Sequence, residues 1–132
     1  MTATFAPAAG RSIDDILADA RRRIQRVGPE EAHVAHRRGA TLVDIRPEEQ
    51  RRAYGQVPGS LVVERNVLEW RFDPRSSAAL DIARYDLEII VLCQEGYTSS
   101  LAAAALQDLG LHRAADLDGG FAAWKAAGLP AF

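Results

Sequence analysis

The chain has 132 residues, 48% hydrophobic and 26% charged, with a formal charge of −2. This length fits one folded unit with its own core, and the near-neutral balance gives no bulk attraction to nucleic acid. No apolar run approaches the roughly 20 residues of a membrane span, and a single cysteine cannot form an internal disulfide, so a cytoplasmic protein without nucleic-acid or membrane partners is expected.

Met1 to Gly10 is small and apolar but lacks the basic start and long apolar core of a signal peptide. Residues 1–11 therefore read as a flexible tail and residues 12–132 as a single domain. Ser12 can cap a helix whose first turn carries Asp14 and Asp15, and Ile13, Ile16, Leu17, Ala20 and Ile24 give it one apolar stripe. Arg21, Arg22, Arg23 and Arg26 form a basic cluster. With Asp14, Asp15 and Asp19 in the same segment, it reads as a solvated helix face rather than a phosphate or partner site. Ile24 to Val27 fits a short strand. Gly28-Pro29 breaks the chain and Pro29 opens a second helix, which runs to about Arg38 and closes at Gly39.

Ala40 to Ile45 is a buried strand ending in Arg46-Pro47, and Glu48 to Ala53 a short helix. A turn at Gln56-Val57-Pro58-Gly59 leads into a strand at Ser60 to Val63. Asn66 to Phe72 is helical, with Trp70 and Trp124 expected as core aromatics. After a loop at 73–77, Leu87 to Cys93 is the strongest strand signal. Ser99 to Leu109 is an alanine-rich helix ended by Gly110. Ala114 to Leu117 is the last strand, Gly119-Gly120 a tight turn, and Phe121 to Ala127 the last helix. Short apolar strands alternating with helices predict a parallel sheet covered on both faces, with ligands beyond the carboxyl ends of the strands. Cys93 and the Asp44-Ile45-Arg46 segment both stand at such ends. The first 65 residues hold 11 Lys/Arg against 9 Asp/Glu, and the rest 5 against 9, so the second half is the acidic one.

Cys93 ends a buried strand and precedes a helix across the loop Gln94-Glu95-Gly96-Tyr97-Thr98-Ser99. An ordinary thiol titrates near about 8.5, so only a minority is thiolate at neutral pH. Backbone N–H groups curling around the sulfur, and the positive end of the following helix, would stabilise an anion there. Gly96 permits the curl. The hydroxyls of Thr98, Ser99 and Ser100 could donate to such an anion, although capping the helix is the first reading of the two serines. Glu95 either stands at the pocket mouth, where it repels a dianion, or faces solvent. Tyr97 either walls the pocket or packs on the surface. His33 and His36, three apart on one helix, and His112 lack further ligand types nearby and read as exposed or hydrogen-bonded side chains, not a metal site.

Four segments together resemble the rhodanese-like domain family, over about residues 24–130. They are Leu42-Val43-Asp44-Ile45-Arg46-Pro47-Glu48-Glu49, Gln56-Val57-Pro58-Gly59-Ser60, the loop Cys93 to Ser99, and Leu117-Asp118-Gly119-Gly120-Phe121-Ala122-Ala123-Trp124. The resemblance implies an α/β, three-layer fold with a five-stranded parallel sheet and helices on both faces. It implies a sulfurtransferase that moves a sulfane sulfur from thiosulfate or another donor, through a Cys93 persulfide, to a nucleophilic acceptor. That acceptor would be cyanide, a small thiol or the cysteine of a sulfur-relay protein, with no metal or organic cofactor. Cys93 would be the nucleophile and Gln94, Glu95, Gly96, Tyr97, Thr98 and Ser99 the substrate-binding loop. Asp44, Arg46 and Arg65 are candidates for the rim, Asp44 and Arg46 more readily as a structural pair holding loops. The chain departs from the family in Gln56 for a common His, in Gln94 and Glu95 where thiosulfate-using members often carry basic residues, and in Thr98 where many single-domain members have Arg. A phosphatase or arsenate reductase would need Cys-x5-Arg, but the sixth residue after Cys93 is Ser99 and the loop has no Arg or Lys. The alternative of another class is a catalytically weak binding or regulatory module on the same fold.

Overall fold

The computed structural model describes residues 7–132. Of the tail expected over residues 1–11, residues 1–6 lie outside the described residues, and Pro7 to Gly10 form a turn in which the Gly10 N–H donates to the Pro7 carbonyl (2.9 Å). Helix α1 spans Ile13–Arg23 and opens on a capping box. Ser12 Oγ accepts from the Asp15 N–H (3.0 Å) and the Asp15 carboxylate accepts from the Ser12 N–H (3.3 Å). The expected apolar stripe is only partly used: Ala20 is buried, whereas Ile13 and Ile16 are exposed.

Strand β1 is Gln25–Val27 and helix α2 is Pro29–Arg37, with Pro29 in the first turn where its missing N–H costs nothing. Strand β2 (Thr41–Asp44), helix α3 (Glu48–Tyr54) and strand β3 (Leu61–Val62) follow. A 3₁₀ turn at Arg65–Val67 leads into α4, Leu68–Phe72. Trp70 corrects the expectation of a core aromatic: it is 61% exposed. Leu68 and Phe72, four apart, share the inward face of this single turn, and a residue midway between them points outward. Strand β4 (Ile89–Leu92), helix α5 (Thr98–Asp108), strand β5 (Ala114–Leu117) and helix α6 (Gly120–Ala126) complete the chain.

The five strands form one parallel sheet in the order β1-β5-β4-β2-β3. β4 and β5 are buried at every position, as strands covered on both faces must be. On one face Val43, Ile89, Val91 and Cys93 pack against Ala102, Ala103 and Leu106 of α5 and Leu68 and Phe72 of α4. On the other, Leu42, Ile90, Leu92 and Leu117 pack against Ala32 of α2 and Phe121 and Trp124 of α6. The fold is thus the expected three-layer arrangement. Because all strands run the same way, the segments leaving β2, β4 and β5 emerge on one rim, bringing Arg46, Cys93 and Asp118 to the same end of the sheet. No helix among the described residues is long and apolar enough to cross a membrane.

Candidate active site

Cys93 follows β4 directly, and its side chain is 4% exposed. Two of the six loop N–H groups from Gln94 to Ser99 reach its sulfur: Gly96 N–H at 3.2 Å and Ser99 N–H at 3.3 Å. The second lies in the first turn of α5, so the positive end of that eleven-residue helix faces the sulfur as well. Gly96 has φ +90°, and a Cβ there would stand 2.8 Å from the Gly119 nitrogen and 3.1 Å from an Arg26 nitrogen. The curl thus requires glycine for its dihedral and for the closeness of the next loop.

That next loop is the Gly119-Gly120 turn. Gly120 has φ +64°, and a Cβ on it would fall 2.5 Å from the Cys93 carbonyl oxygen. Its closeness lets Phe121 N–H donate to the Cys93 carbonyl (2.8 Å) and Ala122 N–H to that of Gln94 (3.0 Å). The start of α6 thereby fixes the backbone on which the thiol sits.

Behind the loop lies a charged network that corrects the reading of the basic cluster. Arg22 pairs with Asp19 on the surface, as a solvated face would. Arg21 and Arg26 instead turn inward, donating to the Gly96 carbonyl at 2.9 and 2.8 Å. Arg26 and Asp116 are register partners on β1 and β5, and the guanidinium holds both carboxylate oxygens (3.0 and 3.2 Å) and reaches Asp118 (3.0 Å). Asp116 is fully buried. It also accepts from the Ser99 and Ser100 hydroxyls, each at 2.8 Å, so these serines anchor the loop rather than cap α5. Burial works against the Arg26 charge. The hydrogen bond and charge of Asp116, with Asp118 and Cys93 adding, outweigh it and hold Arg26 above the usual arginine range. The signal in the sequence was Asp116 itself, a carboxylate in the middle of a buried strand that demands a cation and donors.

A cleft of about 210 Å³ opens onto the sulfur. Gln94, Glu95, Tyr97 and Thr98 line it from the loop, and Ile45, Arg46, Pro47 and Gln50 from the segment after β2. Glu95 is exposed at this opening and makes no ion pair or side-chain hydrogen bond among the described residues. Tyr97 also borders the cleft and is largely exposed, with the Arg21 guanidinium over its ring. Arg46, although it lines the cleft, is 1% exposed and wholly engaged. It grips Asp44 through two nitrogens (3.0 and 2.8 Å), donates to Gln94 Oε1 (2.9 Å) and the Gly55 carbonyl (2.8 Å), and lies over the Phe121 ring. Arg65 is not brought to the cleft: its guanidinium pairs with Glu69 (2.8 Å), one turn on. A larger crevice of about 540 Å³ between Arg22, Glu31, Glu88 and Arg113 is lined by no cysteine, serine or threonine and does not include Cys93. His36 faces the Ala40 and Pro58 carbonyls, and His33 meets Trp124 edge-on.

Residues 29–127 match the model of the rhodanese-like domain. The chain belongs to the rhodanese-like domain family. A relative named thiosulfate sulfurtransferase GlpE, from Stutzerimonas stutzeri, is 37% identical over 101 residues, covering 76% of this chain and 84% of its own. Its namesake in Pseudomonas aeruginosa is 35% identical over 103 residues, with the same coverage. Among solved structures, a Rhodopseudomonas palustris protein of unknown function, described as a possible tyrosine phosphatase, has a TM-score of 0.86 and 33% identity over 98% of this chain and 100% of its own. In this rhodanese-like chain the sixth position after the cysteine is Ser99, which offers the sulfur a peptide N–H and no guanidinium. Arg21 and Arg26 precede the residues that the family model matches.

Proposed function

We propose that this rhodanese-like chain is a sulfurtransferase in which Cys93 carries the sulfur. The Cys93 thiolate attacks the outer sulfur of a donor. A sulfur–sulfur bond forms to Cys93, the donor's own sulfur–sulfur bond breaks, and the donor's remainder leaves with the electron pair, as sulfite when the donor is thiosulfate. The acceptor, which is cyanide, a small thiolate or the cysteine thiolate of a sulfur-relay protein, then attacks the outer persulfide sulfur and bonds to it. The bond between that sulfur and Cys93 breaks, and its electron pair returns to Cys93 as the thiolate. The observation that carries this reading is the pair of peptide N–H groups on the sulfur of Cys93, at the foot of an open cleft. Such fixed donors stabilise charge without reorganising. The 210 Å³ cleft is well above the roughly 10–15 Å³ that one water needs on the same measure, so it is open to a small donor. The thiosulfate sulfurtransferase names of the relatives support the same donor class.

Gln94 to Ser99 form the donor-binding loop in this reading, and Asp44 and Arg46 brace it. Residues 12–132 act as one domain. The reaction needs no metal or organic cofactor, and a lone thiol suits a reducing cytoplasm. The second reading, a catalytically weak binding or regulatory module, is favoured by one feature: an acidic cleft mouth at Glu95 with no free guanidinium aimed into it.

Intact-mass measurement after incubation with thiosulfate, then cyanide, separates the two. The sulfurtransferase gains one sulfur, loses it to cyanide and yields thiocyanate, and Cys93→Ser does none of these. Absence of sulfur gain from thiosulfate and from a small-thiol persulfide alike would leave the module.

A further inference from the structure

Both peptide donors on the Cys93 sulfur trace back to one ion pair. Gly96 gives its N–H to the sulfur (3.2 Å), and its carbonyl is held by Arg26 (2.8 Å). Ser99 gives its N–H to the sulfur (3.3 Å), and its hydroxyl is held by Asp116 (2.8 Å). Arg26 and Asp116 are locked to each other across neighbouring strands, so their separation is set by the sheet and not by the loop. Arg21 adds a second hold on the Gly96 carbonyl, and Ser100 a second hydroxyl on Asp116.

We infer that Arg26 and Asp116 are positioning residues for sulfur transfer: they fix the two N–H groups that stabilise the Cys93 thiolate and the persulfide anion. The inference rests on Cys93 being the sulfur carrier. The pair contributes geometry rather than net field, since Arg21 and Arg26 are balanced by Asp116 and Asp118. A fully buried Asp116 paired to a part-buried Arg26 is poorly explained by stability alone. An apolar pair of similar volume commonly serves a buried strand interface as well or better. An apolar pair would leave the Ser99 hydroxyl unheld and the Gly96 carbonyl without the Arg26 half of its hold.

The test uses Arg26→Met, Arg26→Lys, Ser99→Ala and, as a control, Arg23→Ala. Arg23 binds Asp108 on α5 from the same end of α1 but touches neither sulfur donor. Two readouts are taken on each variant: kcat for sulfur loading against KM for the donor, and the rate of Cys93 alkylation by iodoacetamide, which needs no sulfur donor. Thermal midpoints show whether each variant is folded. Displacing a fixed donor by about an ångström costs on the order of a hundredfold. Arg26→Met should therefore lose about that factor in kcat with KM changed less than about threefold, and alkylation should slow in parallel. Arg26→Lys, which keeps a cation but not the fork that reaches both partners, should recover about tenfold of the loss. Ser99→Ala should fall about tenfold with its thermal midpoint nearly kept. Arg23→Ala should match the parent chain.

If Arg26→Met does not fold, Arg26→Lys and Ser99→Ala carry the test. Both remaining within about twofold of the parent in kcat and in alkylation would overturn the inference. So would Arg23→Ala losing as much as Arg26→Met, because docking of α1 would then be the cause. A parent chain that takes sulfur from no donor sinks the sulfurtransferase reading, while the alkylation rates still decide whether the ion pair positions the thiol's surroundings.

Discussion

Glu95 sets its carboxylate at the opening of the Cys93 cleft, and no cation within the loop answers it. Two charges about 6 Å apart in surroundings as polar as water repel by about 0.7 kcal/mol for each unit of charge product, and thiosulfate carries two charges. Glu95→Arg should therefore raise kcat/KM for thiosulfate by about tenfold at physiological salt and by more at low salt. A steady-state assay at two ionic strengths checks both parts, and an unchanged rate would mean that the carboxylate stands too far out to matter. Cys93→Ser should behave oppositely, losing all sulfur loading yet keeping the folding free energy within about 1 kcal/mol, since a hydroxyl can accept the same two N–H groups. A large drop in urea midpoint would mark the cysteine as structural. At this scale the place of Cys93 between a buried strand and a helix, and the curl of the loop around its sulfur, were legible, because both follow from local order along the chain. Arg21 and Arg26 were not. Their neighbours in sequence are aspartates that suggest a solvated face, while Arg26 meets Asp116 from 90 residues away, through a strand adjacency that no local pattern announces.

The elements themselves follow from periodicity and punctuation. β5 was expected at Ala114 to Leu117 and forms there, and α2 starts on Pro29 as its sequence requires. The ends of β4 fell short of expectation because Leu87 and Cys93, although buried, lie beyond the paired ladder. Trp70 went the other way. Hydrophobicity promised burial, but a one-turn helix has too narrow an inward face for a third large side chain beside Leu68 and Phe72. The Gly119-Gly120 turn was legible as a turn, whereas its role as the seat of the cysteine backbone depends on how closely α6 approaches the loop. Gly120→Ala tests that role. The added methyl would meet the Cys93 carbonyl oxygen at 2.5 Å and the Gln94 carbonyl carbon and Glu95 nitrogen at 2.7 Å, all backbone atoms with no side-chain freedom to yield. We expect a loss of about 2–4 kcal/mol in chemical denaturation, from overpacking together with an unfavourable φ. A neutral result would mean that the two loops separate at little cost.

The molecule as a whole is tied together at its rim by Arg46. Its guanidinium joins β2 through Asp44, the turn after α3 through Gly55, the cysteine loop through Gln94 and α6 through the Phe121 face. Removing one partner of such a pair leaves a buried charge without compensation. Arg46→Met should therefore cost about 3–5 kcal/mol, and adding Asp44→Leu should recover much of that loss. A double-mutant cycle in urea reads this directly, and simple additivity of the two substitutions would show that the pair is not coupled. The sheet order that makes this junction was not legible beyond its parallel class, since alternation of strands and helices fixes direction but not neighbours. The junction also has a partner in time. The peptide bonds of Cys93 and Gln94 are held by Phe121 and Ala122, which a ribosome adds after both. A nascent chain therefore displays Cys93 before the seat beneath it exists. The setting of this thiol is therefore complete only once α6 has been made, and in refolding its reactivity towards iodoacetamide should settle after the sheet has formed.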